Sequence, residues 1–210
     1  LSPAMTAIEI AQAMQDATPA QVMFTVLAGW RIEEIAASLP TSGLSVSPKA
    51  FLSAALVHSD IFPFLNGIPT GTPLEGFMTP GAYELSRDIT APALVEAMLT
   101  RFGEQLSPEL QSGFANQGLT IYQAVTLASI VQREAVQEDE MPLIASVFLN
   151  RLSASMNLAA DATVQYALGY NESQQTWWTN PLNAVDLQID SPYNTYIYSG
   201  LPPTPISNPG

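Results

Sequence analysis

Residues 124–131 read Ala-Val-Thr-Leu-Ala-Ser-Ile-Val and are apolar or small on every side of a helix. They follow Thr120-Ile-Tyr-Gln123, a capping box with Thr as N-cap and Gln at the third helical position. A helix with no polar stripe must be enclosed by other elements, so the second half of the chain is expected to form around this one. Gln132-Arg133-Glu134 follow, with Glu134 one turn beyond Ile130 and Val131 and two beyond Leu127. That spacing places a carboxyl beside apolar side chains, where it tends to keep its proton near neutral pH as a general acid must. A helix-end Glu paired with Arg133 or Arg151, or simply exposed, fits the same spacing.

The remaining periodicities describe an α+β chain. Residues 1–20 suggest an amphipathic helical lead-in through Ile8, Ala11, Met14 and Gln15. Val22–Leu27 reads as a strand before Ala28-Gly29. Ile32, Ile35, Ala36 and Leu39 recur at helical spacing, and Pro40 to Gly43 end that helix. Ser47-Pro48 opens a second short helix to Leu56, and Leu74 to Leu85 look extended after a Pro- and Gly-rich loop. Residues 21–88 thus form a small βααβ unit. The rest, 89–210, is mainly helical with short strands and loops. Thr90 caps a helix through Leu94, Val95, Met98 and Leu99, and Glu138-Asp-Glu140 begin another whose inner face is Leu143, Val147 and Leu152. From Asn157 on, the texture is that of loops and short strands.

Composition removes much chemistry. With 19 acidic against 6 basic residues the net charge is −13, which excludes the basic stripe of a nucleic-acid binder. There is no Cys, one His (His58) and one Lys (Lys49). A thiolate metal site is therefore absent, a Ser-His-Asp triad would need His58, and a pyridoxal-phosphate Schiff base would need Lys49. No run approaches the ~20 apolar residues needed to span a bilayer. Leu1 and the turn-like Asn208-Pro-Gly210 suggest part of a longer chain. Carboxylates and hydroxyls are left to carry any reaction, and no metal or organic cofactor is expected.

Several groups besides Glu134 are suited to a sugar ligand. Asp161 in Leu158-Ala-Ala-Asp-Ala-Thr-Val164 could orient substrate or cap a turn. Asp190-Ser-Pro-Tyr-Asn-Thr-Tyr196 brings hydroxyls, an amide and aromatic faces into one loop, and a supporting loop fits equally. Trp177-Trp178 is either a sugar platform or a core plug. Glu138-Asp-Glu140 is a solvated helix start.

Ordered motifs over most of residues 22–210 resemble the endolytic murein (lytic) transglycosylases of the MltG/YceG-like family. They include Ala28-Gly-Trp-Arg-Ile-Glu-Glu-Ile-Ala36, Leu74-Glu-Gly-Phe-Met-Thr-Pro-Gly-Ala-Tyr-Glu84 and Leu127-Ala-Ser-Ile-Val-Gln-Arg-Glu134. Ala145-Ser-Val-Phe-Leu-Asn-Arg-Leu152, Asp161-Ala-Thr-Val164 with Tyr166, Asp190 to Tyr196 and Gly200 to Gly210 continue the series. The resemblance implies that Glu134 is the catalytic acid and then base. It implies non-hydrolytic cleavage of the β-1,4 bond between N-acetylmuramic acid and N-acetylglucosamine, leaving 1,6-anhydro ends. Asn150, Asp161, Thr163, Tyr166, Tyr193, Asn194 and Tyr196 are candidates for substrate contacts or support. Members often carry Glu where this chain has Gln132, so the essential acid is not expected there.

The same resemblance implies a LysM-like subdomain at 21–88, a catalytic domain at 89–210 that is C-terminally incomplete, and a membrane anchor preceding residue 1. The expected partners are peptidoglycan glycan strands and the cell-wall synthesis machinery, on the extracytoplasmic face of a bacterial membrane. Two other classes remain open: a hydrolase pairing Glu134 with Asp161 or Asp190, and a glycan-binding scaffold without activity.

Overall fold

A computed structural model of the protein describes residues 4–13, 20–69 and 71–210. A short helix α1 (Ala7–Ala13) occupies the expected lead-in, with Ile8 exposed, whereas Met14 and Gln15 lie outside the described residues. Then follow β1 (Gln21–Val26), α2 (Ile32–Ser42), α3 (Pro48–Ala54) and β2 (Gly81–Ser86). The strands pair antiparallel, with Phe24 opposite Tyr83, and the inward residues Phe24, Val26, Tyr83 and Leu85 are buried. Ser47 caps α3 by accepting from the Ala50 N–H, with Pro48 at the first helical position.

Five helices follow: α4 (Ala91–Gln105), α5 (Pro108–Asn116), α6 (Ile121–Glu134), α7 (Met141–Ser153) and α8 (Asp161–Leu168). Two apolar cores result. The first joins the βααβ unit to Leu94, Val95, Met98 and Leu99 of α4, so packing does not break at the 88/89 boundary. The second gathers Leu127, Ile130, Val131, Phe148, Leu158 and Ile206. Helix α6 is the wall between them: Val125 enters the first core, while Leu127, Ile130 and Val131 enter the second. This double duty explains why its sequence lacks a polar face.

Three local expectations change. Helix α2 runs through Pro40 to Ser42 and stops at Gly43, whose φ of 86° only glycine adopts freely. The inner residue of α7 is Phe148, with Ile144, Ala145, Leu149 and Leu152 packed beside it; Leu143 and Val147 are exposed. This helix carries two adjacent apolar stripes, and the one holding the large aromatic ring faces the core. Residues 161–168, expected to be loop, form α8.

Only Gly81–Ser86 of the extended segment pairs as a strand. Before it the chain turns at Gly76 (φ 89°) with Phe77 and Met78 buried. A Cβ at Gly76 would lie 2.6 Å from Pro205 Cβ and 2.7 Å from Val125 Cγ1. Gly76→Ala is therefore expected to destabilise the protein by about 2–3 kcal/mol, through φ strain plus overpacking, as read from chemical denaturation midpoints.

Candidate active site

Glu134 is the last residue of α6, so its carboxyl stands at the negative end of the helix dipole. Ile130 and Val131 behind it are buried, and the side chain is half-buried. Its Oε1 accepts a long hydrogen bond (3.4 Å) from the Ala162 N–H in the first turn of α8. Burial raises the Glu134 pKa above the usual carboxyl range. The Ala162 N–H opposes this, the Asp161 charge adds to it, and Arg133 and Arg151 oppose it. The result is a partly desolvated carboxyl biased toward its protonated form.

Asp161 opens α8 and is exposed, and its Oδ1 accepts a 2.7 Å hydrogen bond from the Tyr196 hydroxyl. That bond to an acceptor pushes the Tyr196 pKa up to about 12. Asp161 and Tyr196 thus form one pair beside Glu134. Asp190 is elsewhere, accepting from the Tyr198 hydroxyl at 2.6 Å, and is not among the charges acting on Glu134.

Thr163 and Asn194 lie beneath the surface. Both are fully buried. Thr163 Oγ1 donates to the Ala160 carbonyl (2.7 Å) and shares a 2.8 Å hydrogen bond with Thr195 Oγ1. Asn194 Nδ2 donates to the carbonyls of Leu187 and Ile189, while its Oδ1 accepts from the Tyr196 N–H. Their polar atoms are used within the fold, which orients α8 and the Tyr196 loop and leaves nothing to offer a ligand directly. Tyr166 and Tyr193 pack together with ring centroids 4.8 Å apart, and the Tyr193 hydroxyl bonds Thr204 Oγ1. Asn150 is exposed on α7; among the described residues no hydrogen bond ties its side chain to this group.

A second polar cluster, which the sequence reading did not identify, joins the βααβ unit to the site. The Arg31 guanidinium lies 4.0 Å from the Tyr166 ring centroid and 4.7 Å from that of Trp177, and pairs with Glu33 at 3.1 Å. Arg133, next to Glu134, sits 3.8 Å from the centroid of Trp178, whose Nε1–H donates to Glu34. Glu75 is 1% exposed and accepts from the Ile32 N–H at the start of α2 and from Asn208 Nδ2. Burial, aided by the Glu33 charge, pushes its pKa up to about 8. Asn208 Oδ1 in turn accepts from the N–H groups of Gly76 and Met78. Gln132 is likewise a structural residue, its Oε1 accepting from the Gly210 N–H.

Because the Asp161 charge helps hold the Glu134 proton, Asp161→Asn is expected to lower the Glu134 pKa. If activity needs protonated Glu134, the alkaline limb of the pH–rate profile moves to lower pH in this variant. An unmoved limb would separate the two residues. Among the described residues there is no group of three or more His, Cys, Asp or Glu side chains able to hold a metal ion.

Known proteins are similar to this chain. The endolytic murein transglycosylase of Streptococcus pneumoniae serotype 2 (strain D39) is 35% identical over 136 residues, 65% of this chain and 24% of the relative. That of Bacillus subtilis (strain 168) is 34% identical over 139 residues, 66% of this chain and 36% of the relative. The chain therefore spans about a quarter to a third of the length of these curated relatives. A crystal structure at 2.6 Å of a yceG-like protein, lmo1499 from Listeria monocytogenes, superposes with a TM-score of 0.77 at 29% identity. It covers all of this chain, which corresponds to 71% of that one. The family model described as YceG-like family matches residues 1–210, and the chain belongs to that family.

Proposed function

We propose that this protein is a lytic transglycosylase that cleaves the β-1,4 bond between N-acetylmuramic acid and N-acetylglucosamine in peptidoglycan strands. The observation that carries the reading is the Glu134 carboxyl, half-buried at the end of α6 and biased toward its acid form. The curated relatives' name, endolytic murein transglycosylase, supports it.

In this reading Glu134 protonates the bridging oxygen as the bond to the muramic C1 breaks, and N-acetylglucosamine leaves with a free 4-hydroxyl. The Glu134 carboxylate then takes the proton of the muramic C6 hydroxyl. The freed oxygen bonds to C1, closing a 1,6-anhydro ring and returning Glu134 to its acid form. No water enters, so no second carboxylate has to activate one. Asp161, held by Tyr196, supplies negative charge near the electron-poor C1 and adds to the burial that raises the Glu134 pKa. Tyr166 and Tyr193 wall the site, while Thr163 and Asn194 position α8 and the Tyr196 loop; Asn150 contacts the strand farther out.

The βααβ unit is read as LysM-like, its task here being to hold α2 and Arg31 against α8. In this reading the protein acts on peptidoglycan outside the cytoplasm, with the wall-synthesis machinery as its expected neighbour. No helix among the described residues is long and apolar enough to cross a membrane. Borohydride treatment of digested strands tests the chemistry. Anhydro ends resist reduction and keep their mass, whereas ends made by hydrolysis take up two hydrogens; reducible ends would overturn the proposal.

A further inference from the structure

The hairpin that follows α8 is built more rigidly than a connecting loop requires. Asn171 and Thr176 pair across it, and Asn171 Oδ1 accepts from the Ser173 N–H, the Ser173 hydroxyl and the Gln174 N–H. Asn171 Nδ2 donates to Thr179 Oγ1, and Gln174 Oε1 accepts from the Asn180 N–H. This network fixes two aromatic rings, Tyr170 and Trp177, edge to face with centroids 5.1 Å apart. Tyr170 is 42% exposed.

The two adjacent tryptophans have separate fates. Trp178 is buried and spent on the fold, between Arg133 and its bond to Glu34. Trp177 is half-buried, with Arg31 packed on it and Tyr170 at its side. Neither Trp177 nor Tyr170 belongs to either apolar core. Burial, the Arg133 guanidinium and the bond to Glu34 thus account for Trp178, whereas Trp177, with Arg31 on its ring, stays half-buried beside the exposed Tyr170.

Helix α8 sets where this pair stands. Asp161 and Gln165 are one turn apart and share a face. Asp161 holds the Tyr196 hydroxyl at one end, and Gln165 Nε2 donates to the Thr179 carbonyl at the hairpin base (2.9 Å). The hairpin thus rises from the face of α8 that carries Asp161, beyond a helix of eight residues, about 12 Å at 1.5 Å per residue. A chain of β-1,4-linked sugars crossing Glu134 along this face reaches the pair within a few rings.

We propose that Tyr170 and Trp177 form a distal sugar-binding platform. It would stack an N-acetylated pyranose of the strand several rings from the scissile bond and make binding depend on strand length. Aromatic rings with a polar edge, held rigid in advance, suit such a ligand because little entropy is lost on contact. The platform presupposes that Glu134 marks a murein-cleaving site.

The probes are chitobiose and chitohexaose, oligomers of two and six β-1,4-linked N-acetylglucosamines, titrated calorimetrically into the Glu134→Gln protein. Adding Tyr170→Ala or Trp177→Leu is expected to weaken chitohexaose binding about tenfold and leave chitobiose unchanged. If Trp177→Leu lowers the melting temperature, Tyr170→Ala decides alone, since its ring is largely outside the packed structure. Unchanged chitohexaose affinity in Tyr170→Ala, or equal affinity of the parent for both oligomers, would overturn the platform. Anhydro-producing cleavage with unaltered chitohexaose binding would sink the platform alone. Platform-dependent binding without any cleavage by the wild type would sink the murein reading instead.

Discussion

Glu134→Gln is expected to lower the rate of strand cleavage by about 10³–10⁴-fold, the upper part of the range for a single general acid–base residue. The loss is large because one group serves both proton transfers. Gln keeps the shape and can still accept from the Ala162 N–H, so the fold should persist. Stability gives an independent check on sign. The Glu134 pKa is raised in the folded protein, so its contribution is full below the unfolded pKa and is lost as pH rises through the folded one. The variant should therefore melt no lower than the wild type at alkaline pH. A variant retaining a tenth of the activity would remove Glu134 from the chemistry.

The second large effect concerns stability and lies at Asn208. Its side chain accepts from Gly76 and Met78 and donates to the Trp30 carbonyl and Glu75, at 2.7–2.9 Å, with no exposure. Asn208→Ala strands the Gly76 and Met78 N–H groups in a buried place, while the Trp30 carbonyl keeps the backbone N–H of residue 208 and Glu75 keeps the Ile32 N–H. With about 1–3 kcal/mol for each unsatisfied group and some relief by relaxation, the expected loss is about 3–5 kcal/mol, measured by denaturant unfolding. Asn208→Asp should be no better, because it buries a further carboxyl beside Glu75, where burial already disfavours the charged form. Glu75 itself adds a pH signature. Its folded pKa of about 8 against an ordinary 4.5 means that stability is lost as pH rises across that interval. Glu75→Gln should flatten this slope.

The legible parts of the chain were those governed by local rules. The capping boxes and N-caps at Thr120, Ser47 and Thr90 act within four residues, and each starts a helix where the sequence places it. The apolar body of α6 also announced its burial, whereas the spacing left open whether Glu134 was sheltered or exposed. Helix α8 was hidden because it is eight residues long and its N-cap, Ala160, has no polar side chain. What holds it is tertiary: Ala162, Thr163 and Val164 are buried, and Thr163 meets Thr195 across 32 residues of sequence.

Long-range polar contacts were illegible for the same reason. Asn208 and Glu75 are 133 residues apart, and nothing near either one signals the other. Asn208 in Asn-Pro-Gly reads as a turn residue, yet its amide joins the chain's end to Gly76 and the start of α2. Trp177 and Trp178 were equivalent as letters. Only the three-dimensional positions of Arg133 and Glu34 bury the second, while the first stays half-buried against Arg31 and Tyr170.

Whether solvent oxygen enters the product tests the account's central claim most directly. Uncrosslinked glycan strands would be digested in water enriched in the heavy oxygen isotope, and the new muramic ends weighed. The single-carboxyl mechanism predicts ends lighter by one water and free of label, all of them lost with Glu134→Gln. Labelled ends would mean that a water molecule attacks C1, and the protein would then be a hydrolase with a second carboxylate at work.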